Sequence, residues 1–113
     1  MATEGRRSRS AGPNPRFAVV YRWKLRAGGE ERFAAAWGAV TAILRERCGA
    51  LGSRLHRADD GTHLAYAQWP SREAWKAADP EGGDVLALRD AMAEEVLERY
   101  PPMPLEIVAD LLR

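Results

Sequence analysis

The sequence predicts an α+β domain in the order β-α-β-β-α-β, and three runs of residues carry that prediction. Phe17, Val19, Tyr21, Trp23 and Leu25 alternate with Ala18, Val20, Arg22, Lys24 and Arg26, the period of a strand with one apolar face. Phe33, Trp37, Val40 and Leu44 recur at the spacing of a helix. Asp59-Asp60-Gly61 then divides two shorter strand-like runs, because Asp-Gly accepts the positive φ that a tight hairpin requires. This order is the ferredoxin-like split unit, a four-stranded antiparallel sheet with its helices on one face.

Residues 1–15 hold three arginines, prolines, glycines and serines, with no large apolar side chain after Met1. Nothing there repays the entropy of ordering, so a flexible tail is expected, with the domain over 16–113. The first strand breaks at Ala27-Gly28-Gly29. Glu30 and Glu31 open the first helix, where its N-terminus favours negative charge. Arg45 and Arg47 lie in its last turn, and Gly49 stops it. A weaker strand follows over 50–57, with Gly52 near its start. The third, over 62–69, ends at Pro70, and Ser71 caps a short helix over 72–78. Asp84 is expected to cap a further helical piece with the stripe Val85, Leu88, Met92 and Val96, ending at Tyr100-Pro101-Pro102. In the last strand, over 105–112, Leu105, Ile107, Ala109 and Leu111 alternate with Glu106, Val108, Asp110 and Leu112. Right-handed crossovers lay that strand beside the first.

Composition narrows the function. The 113 residues fit one domain with a modest core. Seventeen Lys and Arg against sixteen Asp and Glu leave a net charge of +1, which gives no field for gripping nucleic acid or an anionic membrane. No apolar run nears the roughly 20 residues that span a bilayer. The N-terminal arginines are not followed by the apolar core of a secretory signal, so a cytoplasmic location is expected. The one cysteine, Cys48, rules out an internal disulfide and a multi-cysteine metal site. No metal-spaced His, Cys, Asp and Glu cluster and no phosphate loop is present.

Helices on one face leave the other face of the sheet to water or a partner. It would carry Val20, Arg22 and Lys24 on the first strand, and Glu106, Val108, Asp110 and Leu112 on the last. Val and Leu between opposite charges suit an interface, so a homodimer is expected. Arg22 or Lys24 would then pair with Glu106 or Asp110 across or between sheets and set register.

Gln68-Trp69-Pro70-Ser71-Arg72-Glu73-Ala74-Trp75 is the most specific passage in the chain. Together with Arg26-Ala27-Gly28, with Glu31, Phe33 and Trp37, and with Asp60-Gly61, it resembles the antibiotic biosynthesis monooxygenase-like domain. The resemblance spans about 16–113. It implies a homodimer whose sheets pack face to face as an α+β barrel, with a pocket in each subunit between sheet and helices. It implies oxidation of anthrones or quinols by dioxygen in some members, without metal or flavin, so no cofactor is expected here. Other members cleave haem. That branch needs an Asn, a Trp and a downstream His; the first two positions fall on Tyr21 and Ala78, and no His follows His63, so haem cleavage is rejected.

Oxygenation without a cofactor needs an acidic phenolic substrate, a base or donor to hold its anion, and a dry aromatic pocket. Tyr21 and Trp23 on the first strand, with Trp37 on the first helix and Trp69 at the end of the third strand, are the aromatic candidates. His63 is in phase with Ala65, Ala67 and Trp69, and could serve as a base at neutral pH, so it and Tyr21 are the catalytic candidates. Leu64 and Tyr66 form the alternative buried set of that strand, which would make Tyr66 the pocket residue. A dimeric carrier that binds a small aromatic ligand without turnover, and a dimer with a filled core, are the competing readings.

Overall fold

A computed structural model describes residues 17–112. The expected tail over 1–15, with Arg16 and Arg113, lies outside the described residues. The elements run β1 (Phe17–Leu25), α1 (Glu30–Cys48), β2 (Gly52–Arg57), β3 (His63–Trp69), α2 (Arg72–Ala77), α3 (Gly83–Glu94), β4 (Val96–Arg99) and β5 (Met103–Glu106). All strand pairs are antiparallel, in the order β2-β3-β1-β4, with β5 also on β1. No helix among the described residues is long and apolar enough to cross a membrane.

The period-two run of β1 points its odd residues at the helices. Phe17 and Val19 pack with Trp69, and Trp23 packs with Phe33 and Ala65. In α1, Phe33, Ala36 and Val40 are buried, as the helical stripe requires. Gly49 takes φ 79° and the Ala50 N–H returns to the Leu44 carbonyl at 3.2 Å, which closes the free end of the helix. At its start, Gly29 offers no side-chain cap. The buried carboxylate of Glu95 stands there instead, and a Cβ on Gly29 would meet its Oε1 at 2.6 Å. Arg32 lies 3.4 Å from that carboxylate, an attraction between charges that leaves Oε2 without a hydrogen bond. In the hairpin, Asp60 accepts from the Thr62 backbone N–H at 2.9 Å while Gly61 takes φ 88°. Ser71 accepts from the Ala74 N–H at 3.0 Å and starts α2.

The C-terminal third departs from the sequence expectation. Val96 does not end a helix: α3 stops at Glu94, and Val96 opens β4 opposite Leu25. The stripe had located residues that pack inward, since Val85 is buried and Met92 and Val96 lie against the Trp23 cluster. It did not determine their conformation, because an unpaired edge of β1 supplies backbone bonds that outweigh local propensity. Gly82, not Asp84, is the N-cap of α3; Asp84 accepts from the Val85 N–H and binds Arg47 at 2.9 Å. The last strand is Met103–Glu106, not 105–112, and the chain then leaves the sheet. Pro101 and Pro102, which have no N–H to donate, divide this edge into β4 and β5, so the fourth strand is in two pieces and the sheet counts five.

The helix-free face carries Val20, Arg22 and Lys24, with Tyr66 opposite Val20 and Leu64 opposite Arg22. The expected cross-pairs do not form within the chain. Arg22 binds Asp60 at 3.1 Å and stacks on the Tyr100 ring at 4.5 Å. Lys24 stands opposite Glu98, and Glu106 lies 3.5 Å from Arg72. Asp110 is outside any strand and accepts from the Leu112 N–H. The hairpin turn brings Asp60 closer to Arg22 than the fourth strand brings any acid.

Candidate functional site

Between the sheet and helices α1 and α3 lies a cavity of about 570 Å³. Register explains it. On the helix-facing side, Ser53 of β2, Ala67 of β3 and Val19 of β1 form one cross-strand row, and Leu55, Ala65 and Tyr21 form the next. Three of those six side chains have at most two heavy atoms, so the sheet floor is hollow where α1 passes over it. Tyr21, Trp23 and Trp69 wall the floor, and Trp37, Val40 and Leu44 of α1 form the roof. Met92 and Ala93 of α3 and Val96 of β4 close one side.

The aromatic walls hold one another in place. Tyr21 and Trp23 stack at 6.1 Å between centroids, and Trp23 meets Phe33 edge-on at 4.9 Å. Trp75 of α2 donates its indole N–H to the Tyr21 hydroxyl at 2.9 Å. That bond uses the oxygen as acceptor and leaves the Tyr21 O–H to donate. Burial pushes the Tyr21 phenol above its ordinary range, against the Trp75 hydrogen bond and the positive charge of Arg89. Tyr21 therefore keeps its proton at neutral pH and acts as a donor, not a base.

Ser53 and Trp69 also line the cavity, but Ser53 Oγ and Trp69 Nε1 are themselves covered and have no hydrogen-bond partner among the described residues. An unmet buried polar group costs roughly 1–3 kcal/mol. Thr41, also in the wall, already donates to the Trp37 carbonyl at 2.9 Å. Arg89 of α3 and Arg99 of β4 stand exposed at the rim.

His63 does not reach the cavity. It sits one row beyond Tyr21, opposite Trp23, beneath the first residue of α1. Its Nε2 lies 3.0 Å from Glu30 Oε1, and Arg57 grips the same carboxylate at 2.7 and 2.6 Å. The Arg57 hydrogen bonds, with the His63 contact second, pull the Glu30 carboxyl from 4.5 down to about 2. The expected catalytic role of His63 is corrected on that geometry: the ring ties α1 to the hairpin. Tyr66 is corrected too, because it pairs with Val20 on the opposite face of the sheet from the cavity.

Sequence reasoning brought Tyr21, Trp23, Trp37 and Trp69 to one place and missed Ser53, Arg89 and Arg99. Arg89 had a signal: it lies four residues after Val85 and three before Met92, on the edge of the same stripe. Ser53 had one as well, being in phase with Leu55. Arg99 had none, because its strand read as helix.

The model of the antibiotic biosynthesis monooxygenase family matches residues 16–79. No curated protein matches the chain. Among solved structures, the cofactor-independent oxygenase SnoaB of Streptomyces nogalater is similar at 16% identity and a TM-score of 0.68, over 88% of this chain and 100% of that one. A monooxygenase of Streptomyces coelicolor, solved in complex with nanaomycin D, is 22% identical with a TM-score of 0.67, over 88% and 93%. Rv0793 of Mycobacterium tuberculosis is 18% identical with a TM-score of 0.66, over 85% and 98%. At these identities the likeness shows a common fold.

Proposed function

The chain belongs to the antibiotic biosynthesis monooxygenase family, and on that footing we propose that it is a cofactor-independent monooxygenase. Its substrate would be a small aromatic or polyketide-like phenolic compound, oxidised by dioxygen. One observation carries the reading: an aromatic-walled hollow of about 570 Å³, within the roughly 300–1,000 Å³ usual for small-molecule sites, has the half-buried Tyr21 in its wall with its O–H left to donate.

Among the described residues, no carboxylate or imidazole lines that hollow. A substrate handled there must be acidic enough to give its proton to water, as an anthrone is through its phenolic tautomer. The protein's part is then to hold the anion. The Tyr21 O–H, its oxygen held by the Trp75 N–H, is the donor for that anion at an apolar wall, where such a bond is strengthened. Trp23 and Trp37 orient the ring. The anion passes one electron to dioxygen, and the substrate radical and superoxide join in a C–O bond. Loss of water breaks the O–O bond, so a ring CH₂ becomes C=O, one oxygen atom stays and the other leaves as water. All four electrons come from the substrate, and no outside reductant is needed.

The test is oxygen uptake with a panel of anthrones and hydroquinones. One dioxygen consumed per quinone formed is expected. The second reading, a carrier without turnover, is favoured by the missing base; tight binding with no oxygen uptake above the buffer rate would establish it instead.

We also infer a homodimer through the helix-free sheet face, working in the cytoplasm. What supports the dimer is apolar surface on that side, including Val20, Leu64 and Met103, and a C-terminal segment with Val108 and Leu111 94% and 95% exposed. Light scattering on a sizing column should return twice 12.5 kDa; the mass of one chain at micromolar concentration removes this inference.

A further inference from the structure

Gln68-Trp69-Pro70-Ser71-Arg72-Glu73-Ala74-Trp75 is the most specific passage of the sequence, yet only Trp69 of it stands in the cavity wall. The fold gives the rest a shared task. Trp69 ends β3, and Ser71 caps α2 two residues later. That helix is six residues long and buries none of them. It is tied to the sheet through the buried Phe17: the Arg72 guanidinium lies 4.8 Å over that ring, and the Trp75 ring meets it tilted at 5.7 Å. So held, Trp75 does not line the cavity but donates its indole N–H to the hydroxyl of Tyr21, which does. Among the described residues, no acceptor takes the Tyr21 proton in turn.

We propose that Trp75 is a positioning residue: it fixes the Tyr21 hydroxyl as a donor into the cavity, so that this point of the wall selects an acceptor oxygen over a donor group. An indole N–H can only donate, whereas a phenol hydroxyl can donate or accept. A phenol proton lies near the plane of its ring and so has two positions. The incoming N–H excludes the nearer one and leaves the other for a ligand. A donor on the hydroxyl oxygen also makes that hydroxyl's own proton the stronger donor, so the chain from Trp75 through Tyr21 to an acceptor is cooperative. The downward pull of the Trp75 bond on the Tyr21 phenol, against the larger upward push of burial, has the same sense. This deepens the oxygenase reading and rests on it only in taking this cavity as the working site.

The experiment is equilibrium dialysis of the full chain against three uncharged tricyclic probes of nearly one shape. Fluorenone presents an acceptor, carbazole a donor, and fluorene neither. The parent should bind fluorenone about 10-fold tighter than fluorene, equivalent to about 1.4 kcal/mol, and carbazole no tighter than fluorene. Trp75→Phe keeps a ring against Phe17 and removes the N–H. It should reduce the fluorenone preference to about 3-fold and lift carbazole about 3-fold above fluorene, because the hydroxyl is then free to turn. Tyr21→Phe should abolish both preferences, and adding Trp75→Phe to it should change neither ratio. Loosened packing weakens the three probes alike, so the ratios report the hydrogen bond and not the fold. In the parent, fluorenone should also move the Trp75 indole N–H resonance further downfield than fluorene does, a measurement that needs no variant to fold. A parent without a fluorenone preference, a Trp75→Phe chain that keeps the parent's ratios, an indole resonance that answers both probes alike, or no binding of any probe overturns the proposal. Because no turnover is read, failure of the oxygen-uptake test leaves this result standing, and failure here leaves that test standing.

Discussion

Tyr21 and His63 face the same side of the same sheet, one cross-strand row apart, yet their surroundings are opposite. The Tyr21 row adjoins Ser53 and Ala67, whose small side chains leave a hollow beside the Tyr21 ring. In the His63 row the neighbours are Arg57 and Trp23, and Glu30 reaches down from α1 to bind both His63 and Arg57. One row borders a hollow; the next is filled, and Glu30 cross-links it, although the His63 Nδ1 has no partner among the described residues. The residue type that looks most reactive lies in the filled row. Chemistry is therefore better sought beside unfilled volume than wherever a titratable side chain occurs.

The strongest way to break this contrast is to fill the hollow. Ala67→Phe places a ring in the floor of the cavity and should reduce ligand affinity and turnover by about 100-fold or more, some 2.7 kcal/mol. Circular dichroism should show a folded chain, because the new ring enters space that is already empty. A variant that is folded and fully active would move the site elsewhere.

Next in size is the Tyr21 hydroxyl. Tyr21→Phe removes a donor from the anion and should reduce kcat by about 10²-fold, as loss of one oxyanion donor does. It also leaves the Trp75 N–H without its acceptor, which should cost about 1–3 kcal/mol in urea unfolding. His63→Ala sharpens the comparison from the other side. It should cost a similar 1–3 kcal/mol of stability by opening a buried gap and freeing Glu30, while kcat stays within about twofold of the parent. A kcat loss for His63→Ala as large as that of Tyr21→Phe would return the histidine to the chemistry.

The fold was legible where alternation and helical spacing ran long. In β1 and α1, five to nine residues repeat one period, and tertiary packing only confirms it. It was illegible at 96–112, where Val96 continues a helical stripe and Leu105 to Leu112 alternate as a strand would. There the edge of β1 selected Val96–Arg99 and Met103–Glu106 for backbone bonding, a choice local pattern does not contain. The aromatic members of the cavity were legible because size and phase announce them. Ser53 was not, since a lone serine in a strand carries no sign of whether its hydroxyl is paired. Tyr66 was ambiguous because the alternation in β3 sets Leu64 and Tyr66 against His63, Ala65 and Ala67, and small residues on the buried side are the less expected choice.

The smallest effect expected is electrostatic, and it tests whether the filled row is held by charge. The Arg57 guanidinium, and His63 after it, hold the Glu30 carboxyl at about 2 in the folded chain, against 4.5 ordinarily. A carboxyl depressed on folding stabilises the fold while it is ionised, above its unfolded value, and that contribution fades as pH falls through the folded one. The window is therefore from about 4.5 down to about 2. Glu30 is solvent-facing, so screening makes the contribution small. In urea unfolding at pH 6 and at pH 3, the parent should lose more stability on acidification than Glu30→Gln does. At pH 6 the parent should be the more stable of the two, and added salt should narrow the gap. If both chains lose stability in parallel, Glu30 binds Arg57 and His63 without being stabilised by them, and the filled row is held by its packing alone.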